Sequence, residues 1–360
     1  MRSVRVVVPV PGPVVGVLAG ALAAALSLVG CSAVGQDGGS DQPASDRVVL
    51  ITHDSFVLPK PLIKEFEQES GYDLVVRGSG DAGVLTNKLV LTKDDPLGDV
   101  AFGVDNTFAS RALDEGVFAP YDADLPEGAD EYLLPGDDDH RLTPVDNGDV
   151  CVNVDDTWFA AHHLAPPKTL DDLVDPAYRD LFVTPGAATS SPGMAFLLAT
   201  IATYGDGWQD WWAELMDNGA KLVDGWSQAY EVDFTQGGGK GDRPIVLSYD
   251  SSPAFTVADG KTSTSALLDT CFRQVEYAGV LAGAQNPDGA QAFVDFLLTP
   301  EVQAALPDSM YVFPVDPSVA LPKQWASFAQ QPTDPYEVDP AQVSEHRDEW
   351  LREWSDVTSR

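Results

Sequence analysis

Basic side chains are scarce in this chain. Its 360 residues contain 21 Lys and Arg against 56 Asp and Glu, which gives a formal net charge of −35 at pH 7. Proteins that bind nucleic acids depend on clustered Lys and Arg to neutralise the phosphates. A surface this acidic repels such polyanions, so the charge excludes DNA and RNA as partners. The same charge favours the approach of small cations.

Histidine and cysteine are also few, and their spacing excludes the common metal sites. The chain has five histidines and three cysteines, with no Cys-x-x-Cys pair and no Cys/His cluster at zinc spacing. His162 and His163 stand near Asp155 and Asp156, but adjacent histidines do not share a helical face, so we interpret them as an exposed turn. We therefore expect neither a metal nor another cofactor.

Catalytic motifs are missing as well. Residues 225–229 read GWSQA, which approaches the G-x-S-x-G nucleophile elbow but lacks its last glycine and a convincing His/Asp partner. There are no adjacent tyrosines of the kind that bind ferric iron, and there is no phosphate-binding P-loop. A binding protein without enzymatic activity is the favoured class, and a secreted serine hydrolase is a remote alternative.

The first 30 residues indicate export. Arg2 and Arg5 precede an apolar run from Val6 to Gly30, which is the pattern of a signal peptide and is also long enough to span a bilayer as a retained anchor. Leu28-Val29-Gly30-Cys31 resembles the bacterial lipobox, in which cleavage precedes a lipid-modified cysteine. We predict a lipoprotein signal peptide at 1–30, lipidation of Cys31 and a disordered tether at 31–47. The protein would then be exported and anchored to the outer, or periplasmic, face of the cell membrane.

Two cysteines remain once Cys31 carries lipid. Cys151 and Cys271 each lie in a segment that reads as a strand, DVCVNV and TCFRQVEYAG. An even number of cysteines in an oxidising compartment favours a disulfide between them. Two buried free thiols are the alternative.

Residues 48–116 alternate between strand-like and helical segments. The apolar runs at 48–52, 73–77 and 99–105 each precede a stretch with helical periodicity. This βαβαβα pattern predicts an α/β fold with a parallel sheet. Ligands bind beyond the carboxyl ends of the strands in such sheets, where this sequence places Asp54, Asp81 and Asp105.

The middle of the chain has its own pattern of strands and helices. The sequence therefore predicts a lobe I built from 48–147 plus 271–360, interrupted by a lobe II at 148–270. The chain would cross between the lobes near 147–151 and 270–275, with a ligand cleft between them. The two lobes would move about these crossing segments.

An aromatic residue follows a glycine in the segment DGWSQAY at 224–230. Trp226 in such a polar loop is either a packing residue or a binding surface. Tyr230 and Tyr249 follow soon after. Trp226 and Tyr249 are predicted to offer flat faces to a ligand, whereas Tyr230 either contacts the ligand or supports the loop.

Several stretches together resemble the thiamine-binding proteins of bacterial ABC importers, which have the two-lobe type II periplasmic binding protein fold. These stretches are HDSF at 53–56, GDAGVLTNKL at 80–89, DVAFGVDNT at 99–107, TSSPGMAFLL at 189–198, DGWSQAY, IVLSYDSSPAF and the closing DEWLREWSDVTSR. The resemblance implies a monomer that captures thiamine, or thiamine phosphates, and delivers it to an ABC permease with its ATPase subunit.

The same resemblance and the strand-end positions give the candidate ligand-binding residues. They are Asp54, Asp81, Ala82, Ser190, Ser191, Trp226, Tyr249, Asp250, Ser251, Ser252, Pro253 and Tyr311. Asp81 would accept a bond from the ligand or face its positive charge, or it would simply cap the following helix. Ser190 and Ser191 open a helix, where free N–H groups and hydroxyls either bind an anion or hydroxyl group or serve as a cap.

Some positions depart from the pattern of this family. Tyr311 stands where a tryptophan is usual, His53 where a tyrosine is common, and Asn147 and Asp149 where aromatic residues are expected. These changes add negative charge and reduce stacking, which favours unphosphorylated thiamine. A substrate-binding protein for another small ligand, such as a polyamine, is the alternative within the same class, because the acidity suits polycations.

Overall fold

The computed structural model of the protein describes residues 46–359. The predicted signal peptide at 1–30, the lipidation of Cys31 and the predicted tether up to residue 45 lie outside the described residues. Asp46 precedes a strand that begins at Arg47, one residue before the predicted start of lobe I. Among the described residues, no helix combines the length and apolar character needed to cross a bilayer.

Ten strands and ten α-helices make up residues 46–359. The strands are β1 (Arg47–Thr52), β2 (Asp73–Gly78), β3 (Val100–Asp105), β4 (Thr143–Asp155), β5 (Phe182–Pro185), β6 (Lys221–Val223), β7 (Ile245–Tyr249), β8 (Thr264–Ala266), β9 (Phe272–Val280) and β10 (Phe313–Pro314). The α-helices are α1 (Lys60–Ser70), α2 (Ala82–Leu91), α3 (Ala109–Asp114), α4 (Asp156–His162), α5 (Ser191–Tyr204), α6 (Trp208–Asp217), α7 (Pro287–Leu297), α8 (Pro300–Met310), α9 (Lys323–Ala326) and α10 (Pro340–Thr358).

The N-terminal part of the sheet is parallel, as the alternation of strands and helices predicts. β1 pairs in parallel with β2 on one side and with β3 on the other. Val48 and Leu50 of β1 are fully buried in a core that includes Phe66 of α1. α1 ends at Gly71, whose φ of 75° is the left-handed conformation that glycine adopts at little cost. The segments that follow β1 and β2 therefore emerge at the same edge of the sheet.

A second parallel group lies at the other end of the sheet. β5 pairs in parallel with β6 and β7, and the strand order is β2-β1-β3-β9-β4-β7-β5-β6, with β8 and β10 also paired to β4. Phe196 of α5 and Trp212 of α6 are buried in the core of this part. The indole Nε1–H of Trp212 donates to Thr200 Oγ1 at 2.9 Å, so the buried ring leaves no unpaired donor.

Two long antiparallel strands, β4 and β9, connect the two groups. Asn147 pairs with Val275 and Val150 with Phe272. The strand-like segment DVCVNV, at 149–154, is only the later part of β4, which begins at Thr143 and is buried along all 13 residues. The predicted lobe boundaries at 147/148 and 270/271 fall inside β4 and directly before β9.

A disulfide joins Cys151 to Cys271 at this crossing, as the cysteine count predicts. Cys151 lies in β4, and Cys271 directly precedes β9. Both side chains are almost completely buried. The covalent link thus lies in the interior, between the two strands that join the parallel groups.

The C-terminal helix α10 contributes buried side chains to the core. It packs against α6 and α3. The Trp354 ring lies edge-on to that of Trp212, with 5.7 Å between the ring centroids. α10 therefore contacts both the predicted lobe I, through α3, and the predicted lobe II, through α6.

Candidate functional site

A cavity of about 340 Å³ opens where the segments after β1 and β2 meet those from the other end of the sheet. Its walls come from the β1–α1 connection, the starts of α2 and α5, residues 226–231, the end of β7 and the segment after it, β9, and the end of α8. The lining residues are His53, Asp54, Ser55, Val57, Asp81, Ala82, Ser191, Trp226, Ser227, Tyr230, Glu231, Tyr249, Ser251, Ser252, Phe255, Glu276, Ser309, Met310, Tyr311 and Val312. This is the position beyond the strand ends where α/β sheets bind ligands.

Nine of the twelve candidate residues come together in this lining. They are Asp54, Asp81, Ala82, Ser191, Trp226, Tyr249, Ser251, Ser252 and Tyr311. The other three, Ser190, Asp250 and Pro253, are buried next to lining residues rather than in the wall of the cavity. Residues from six separate stretches of the chain therefore converge on one space.

Two hydrogen bonds and one stacking contact fix the position of Trp226. Its backbone N–H donates to Asp81 Oδ2 at 2.8 Å, and its Nε1–H donates to Ser248 Oγ at 2.9 Å. Its ring stacks on Tyr230 with centroids 5.2 Å apart and planes 10° apart, while the Tyr249 ring lies 6.4 Å away at 56°. The half-buried indole is thus fixed in orientation at the wall of the cavity.

The segment around Trp226 is helical rather than the loop that its sequence indicates. Trp226 and Ser227 begin a helical turn that continues as a π-helix over Gln228–Asp233. π-Helical turns are rare in proteins, and those that do occur often lie at functional sites. The turn buries Tyr230 beneath Trp226, which assigns the tyrosine a packing as well as a lining role.

Gly225 explains why a glycine precedes the tryptophan. A Cβ atom at this position would lie 2.9 Å from Asp81 Oδ2. A side chain here would crowd the carboxylate that accepts the N–H of Trp226, and glycine leaves room for that close approach.

Asp81 serves two backbone groups at once. Its Oδ1 accepts from the N–H of Ala82 at 2.7 Å and caps α2, while Oδ2 accepts from Trp226. A carboxylate has about four acceptor positions, so both bonds leave Asp81 able to face a ligand. The capping role and the binding role predicted for Asp81 are compatible.

Aromatic rings form a second wall of the cavity. The Phe255 ring lies 5.7 Å from that of Tyr230 and 5.2 Å from that of Tyr311, both edge-on. Tyr311 follows α8 with a φ of 57°, an uncommon conformation for a residue with a side chain. The hydroxyl of Ser251 donates to the carbonyl oxygen of Tyr311 and ties this residue to the segment after β7.

His53 and Glu276 line the cavity but are not among the twelve candidate residues. In the sequence, His53 stands out only as a departure from the family pattern, and Glu276 is not predicted at all. His53 Nε2 lies 3.3 Å from Glu276 Oε1. Burial alone would raise the pKa of the Glu276 carboxyl, but His53 lowers it below its usual range. Glu276 belongs to β9, where Gln274 and Glu276 alternate with apolar residues. That alternation of polar side chains in a strand is the signal that could have identified it.

Buried carboxyl groups lie behind the cavity. Asp146 pairs with Glu276 across β4 and β9, and burial together with the charge of Glu276 raises the pKa of Asp146 well above its usual range. Burial raises the pKa of Asp105 to about 6, although bonds from Ser191 and Thr107 oppose the shift. Burial also raises the pKa of Asp250 well above normal, with nearby Asp149 adding to the effect. Three carboxyl groups are therefore buried behind the cavity, and burial favours the neutral form of each.

Two parallel groups of strands are joined by two long strands, and a ligand-sized cavity is lined by aromatic rings and carboxylates. These features define the class of two-lobed solute receptors. A family model for bacterial extracellular solute-binding proteins matches residues 95–333. The chain belongs to this family, and it is a solute-binding protein of a transport system rather than an enzyme.

Individual relatives agree with this assignment. The chain is 32% identical over 329 residues to the thiamine-binding periplasmic protein of Brucella melitensis, which covers 88% of this chain and 93% of the relative. It is 30% identical over 323 residues to the thiamine-binding periplasmic protein of Escherichia coli, which covers 87% of this chain and 94% of the relative.

Solved structures confirm the type II periplasmic binding protein fold. A periplasmic thiamin binding protein superimposes with a TM-score of 0.76 at 29% identity, over 87% of this chain and 96% of that protein. The ferric binding protein from Campylobacter jejuni superimposes with a TM-score of 0.68 at 18% identity, over 86% of this chain and 99% of its own length. At that lower identity the likeness concerns the fold alone.

Proposed function

We propose that this protein captures thiamine outside the cytoplasm and delivers it to an ABC permease driven by a separate ATPase subunit. The observation that carries the proposal is that the wall of a ligand-sized cavity holds both Trp226 and Asp81, whose carboxylate accepts the backbone N–H of Trp226. Relatives that bear the name thiamine-binding periplasmic protein cover most of the chain.

The chemistry of thiamine suits this lining. Its thiazolium ring is permanently positive, and a cation held against a desolvated tryptophan face gains about 2 kcal/mol. Trp226 and Tyr249 offer such faces, and Asp54 and Asp81 offer carboxylates for the positive charge or the amino group. The hydroxyls of the serines in the lining suit the hydroxyethyl arm. We propose the nine lining candidates as contacts, with Ser190, Asp250 and Pro253 acting from behind to hold the loops.

The charge of the lining favours thiamine over its phosphates. Asp54, Asp81, Glu231 and Glu276 line the cavity. Among the residues described at 46–359, neither Lys nor Arg joins them in the lining. A phosphate group would enter a lining in which these four carboxyl groups face a single basic side chain, His53, and their repulsion costs binding free energy.

A titration of the purified full chain with thiamine, thiamine diphosphate and spermidine tests this function. We expect saturable heat in calorimetry and quenching of tryptophan fluorescence with thiamine, and weaker binding of the diphosphate. Absence of thiamine binding would refute the proposal, and tight binding of spermidine alone would instead favour a polyamine receptor.

We also propose that binding closes the cleft about β4 and β9. Asp81 belongs to the predicted lobe I and Trp226 to the predicted lobe II, and their hydrogen bond joins the two. Contacts from both lobes to one ligand stabilise the closed arrangement and shift its population. Small-angle scattering of the monomer with and without thiamine should show a smaller radius of gyration when the ligand is bound.

Membrane attachment through Cys31 completes the proposed function. Its support is the lipobox-like Leu28-Val29-Gly30-Cys31 after an apolar segment. Cys31→Ala should abolish incorporation of a labelled fatty acid. Incorporation that persists in the variant would refute lipidation at this cysteine.

A further inference from the structure

The cavity has one basic side chain among several acidic ones. Of the lining residues in the described part of the chain, His53 alone is basic, against the carboxyl groups of Asp54, Asp81, Glu231 and Glu276. Whether His53 carries a proton therefore decides how much positive charge the cavity holds before a ligand enters.

His53 is held in place rather than free to turn away. Its ring packs 5.6 Å from the ring of Phe102. A Cβ atom at Gly103 would lie 2.0 Å from its Cδ2, so the imidazole occupies the space that this glycine leaves open. Gly103 has a φ of 96° at an irregularity in the pairing of β3 with β9. The packing around the imidazole ring thus fixes its orientation, with Nε2 facing Glu276.

Carboxyl groups face this imidazole from three elements. Glu276 lies on β9, Asp81 at the start of α2 and Asp105 at the end of β3. Burial alone would lower the pKa of His53, but Glu276, followed by Asp81 and Asp105, raises it above its ordinary value. Asp146 of β4 faces Glu276, and burial together with the charge of Glu276 raises the pKa of Asp146, whereas His53 lowers the pKa of Glu276, so the negative charge of the pair favours Glu276.

The side chains of His53 and Glu276 are each only 10% exposed. A buried carboxylate needs a positive partner, and removing that partner is costly unless another cation replaces it. An incoming cation beside Glu276 would at the same time repel the imidazolium.

We propose that Glu276 is the carboxylate that takes the positive charge of the bound ligand, and that the ligand displaces the proton of His53 when it binds. This inference rests on the proposed capture of thiamine. The thiazolium keeps its charge at every pH, so the charge balance has to come from the protein. The imidazolium of His53 loses its Nε2 proton to solvent, the ligand cation enters, and the net charge of the site is unchanged. Neutral His53 then presents a lone pair toward the cavity.

Calorimetry of the full chain with thiamine, in buffers of different ionisation enthalpy, measures the protons released on binding. We expect release of close to one proton at about pH 6, and progressively less as the pH rises from there through the raised pKa of His53, because the imidazole is charged only below that pKa. The association constant should rise by up to about tenfold per pH unit across the lower part of this range. A thiamine analogue with a neutral five-membered ring should bind without releasing a proton.

Three variants separate this role from a structural one. His53→Gln should abolish proton release and bind thiamine several-fold more tightly than the wild type at about pH 6, whereas a merely structural histidine would weaken binding when replaced. Glu276→Gln should weaken binding at every pH and also abolish the release. His346→Gln, on α10 and outside the lining of the cavity, is the matched control and should behave as the wild type does. Thiamine binding without proton release, or release that persists in His53→Gln, would overturn the inference and leave the proposed function intact. Absence of any thiamine binding would instead refute both.

Discussion

Replacing Trp226 by leucine should weaken thiamine binding by about 30-fold. Leucine keeps an apolar side chain above Tyr230 but removes the aromatic face, whose attraction for a desolvated cation is about 2 kcal/mol, and about 1.4 kcal/mol corresponds to a tenfold change in affinity. Loss of the Nε1–H bond adds little, because Ser248 retains Ser252 Oγ as a partner at 2.8 Å. The backbone N–H that donates to Asp81 is present in both proteins.

Isothermal titration calorimetry at fixed pH measures this loss directly. Trp226→Phe keeps an aromatic face without the indole N–H, so its affinity should fall by less than about tenfold. Trp350→Leu is the control, because Trp350 is a half-buried tryptophan on α10 outside the lining of the cavity. Affinity of Trp226→Leu equal to that of the wild type would show that the indole is only a packing residue and would refute the reasoning.

Three further changes test other parts of the structure. Gly225→Ala should weaken both thiamine binding and thermal stability, since its Cβ would lie 2.9 Å from Asp81 Oδ2; unchanged calorimetry and Tm would show that the segment adjusts freely. Cys271→Ser removes the link to Cys151 across 120 residues and should lower the free energy of unfolding in urea by about 2–5 kcal/mol; equal midpoints for the variant and the oxidised wild type would contradict this. Because burial raises the pKa of Asp105 to about 6, the folded protein holds its proton more tightly than the unfolded chain, and stability from this group falls as pH rises from about 4 to about 6. Asp105→Asn should therefore match the wild type near pH 4 and exceed its free energy of unfolding by up to about 3 kcal/mol at about pH 7; a difference that does not change with pH would disprove the assignment.

The parallel strands at the start of the chain could be predicted closely from the sequence. The apolar runs at 48–52, 73–77 and 99–105 correspond to β1, β2 and β3 within one residue at each end. β1 and β3 are largely buried, β2 lies at the edge of the sheet and is largely exposed, and each of the three runs is bounded by turn-forming or polar residues that mark its ends. The residues at their ends therefore reached the cavity lining, as Asp54 and Asp81 show.

The first half of β4 could not be predicted in the same way. Residues 143–150 read TPVDNGDV, with proline, glycine and four polar side chains, which is a turn-like composition. In the fold, β9 and β10 pair with these residues, and Asp146, Asn147 and Asp149 are buried. The pairing with β9 and β10 therefore overrides the low strand propensity of these residues. Their polar side chains are buried behind the cavity.

Two other features depend on contacts that are distant along the chain. The helical turn at Trp226 forms where Asp81, 145 residues away, accepts its N–H. His53 meets Glu276 only because the pairing of β1 with β3, and of β3 with β9, brings their ends together. Local sequence patterns do not reveal such long-range pairings. Trp226 could therefore be predicted as a candidate residue, but its helical conformation and the role of Glu276 could not.

The Cys151–Cys271 link limits the kind of movement available to the molecule. It fixes the register of β4 against β9, because Val150 pairs with Phe272 right beside it. Strands locked in register cannot slide past one another. Any displacement of one end of the sheet relative to the other must then occur by bending and twisting of the crossing segments, as in a hinge, and not by shear. Reduction of the bond would remove this restriction, so the oxidising conditions outside the cytoplasm also determine how the protein can move.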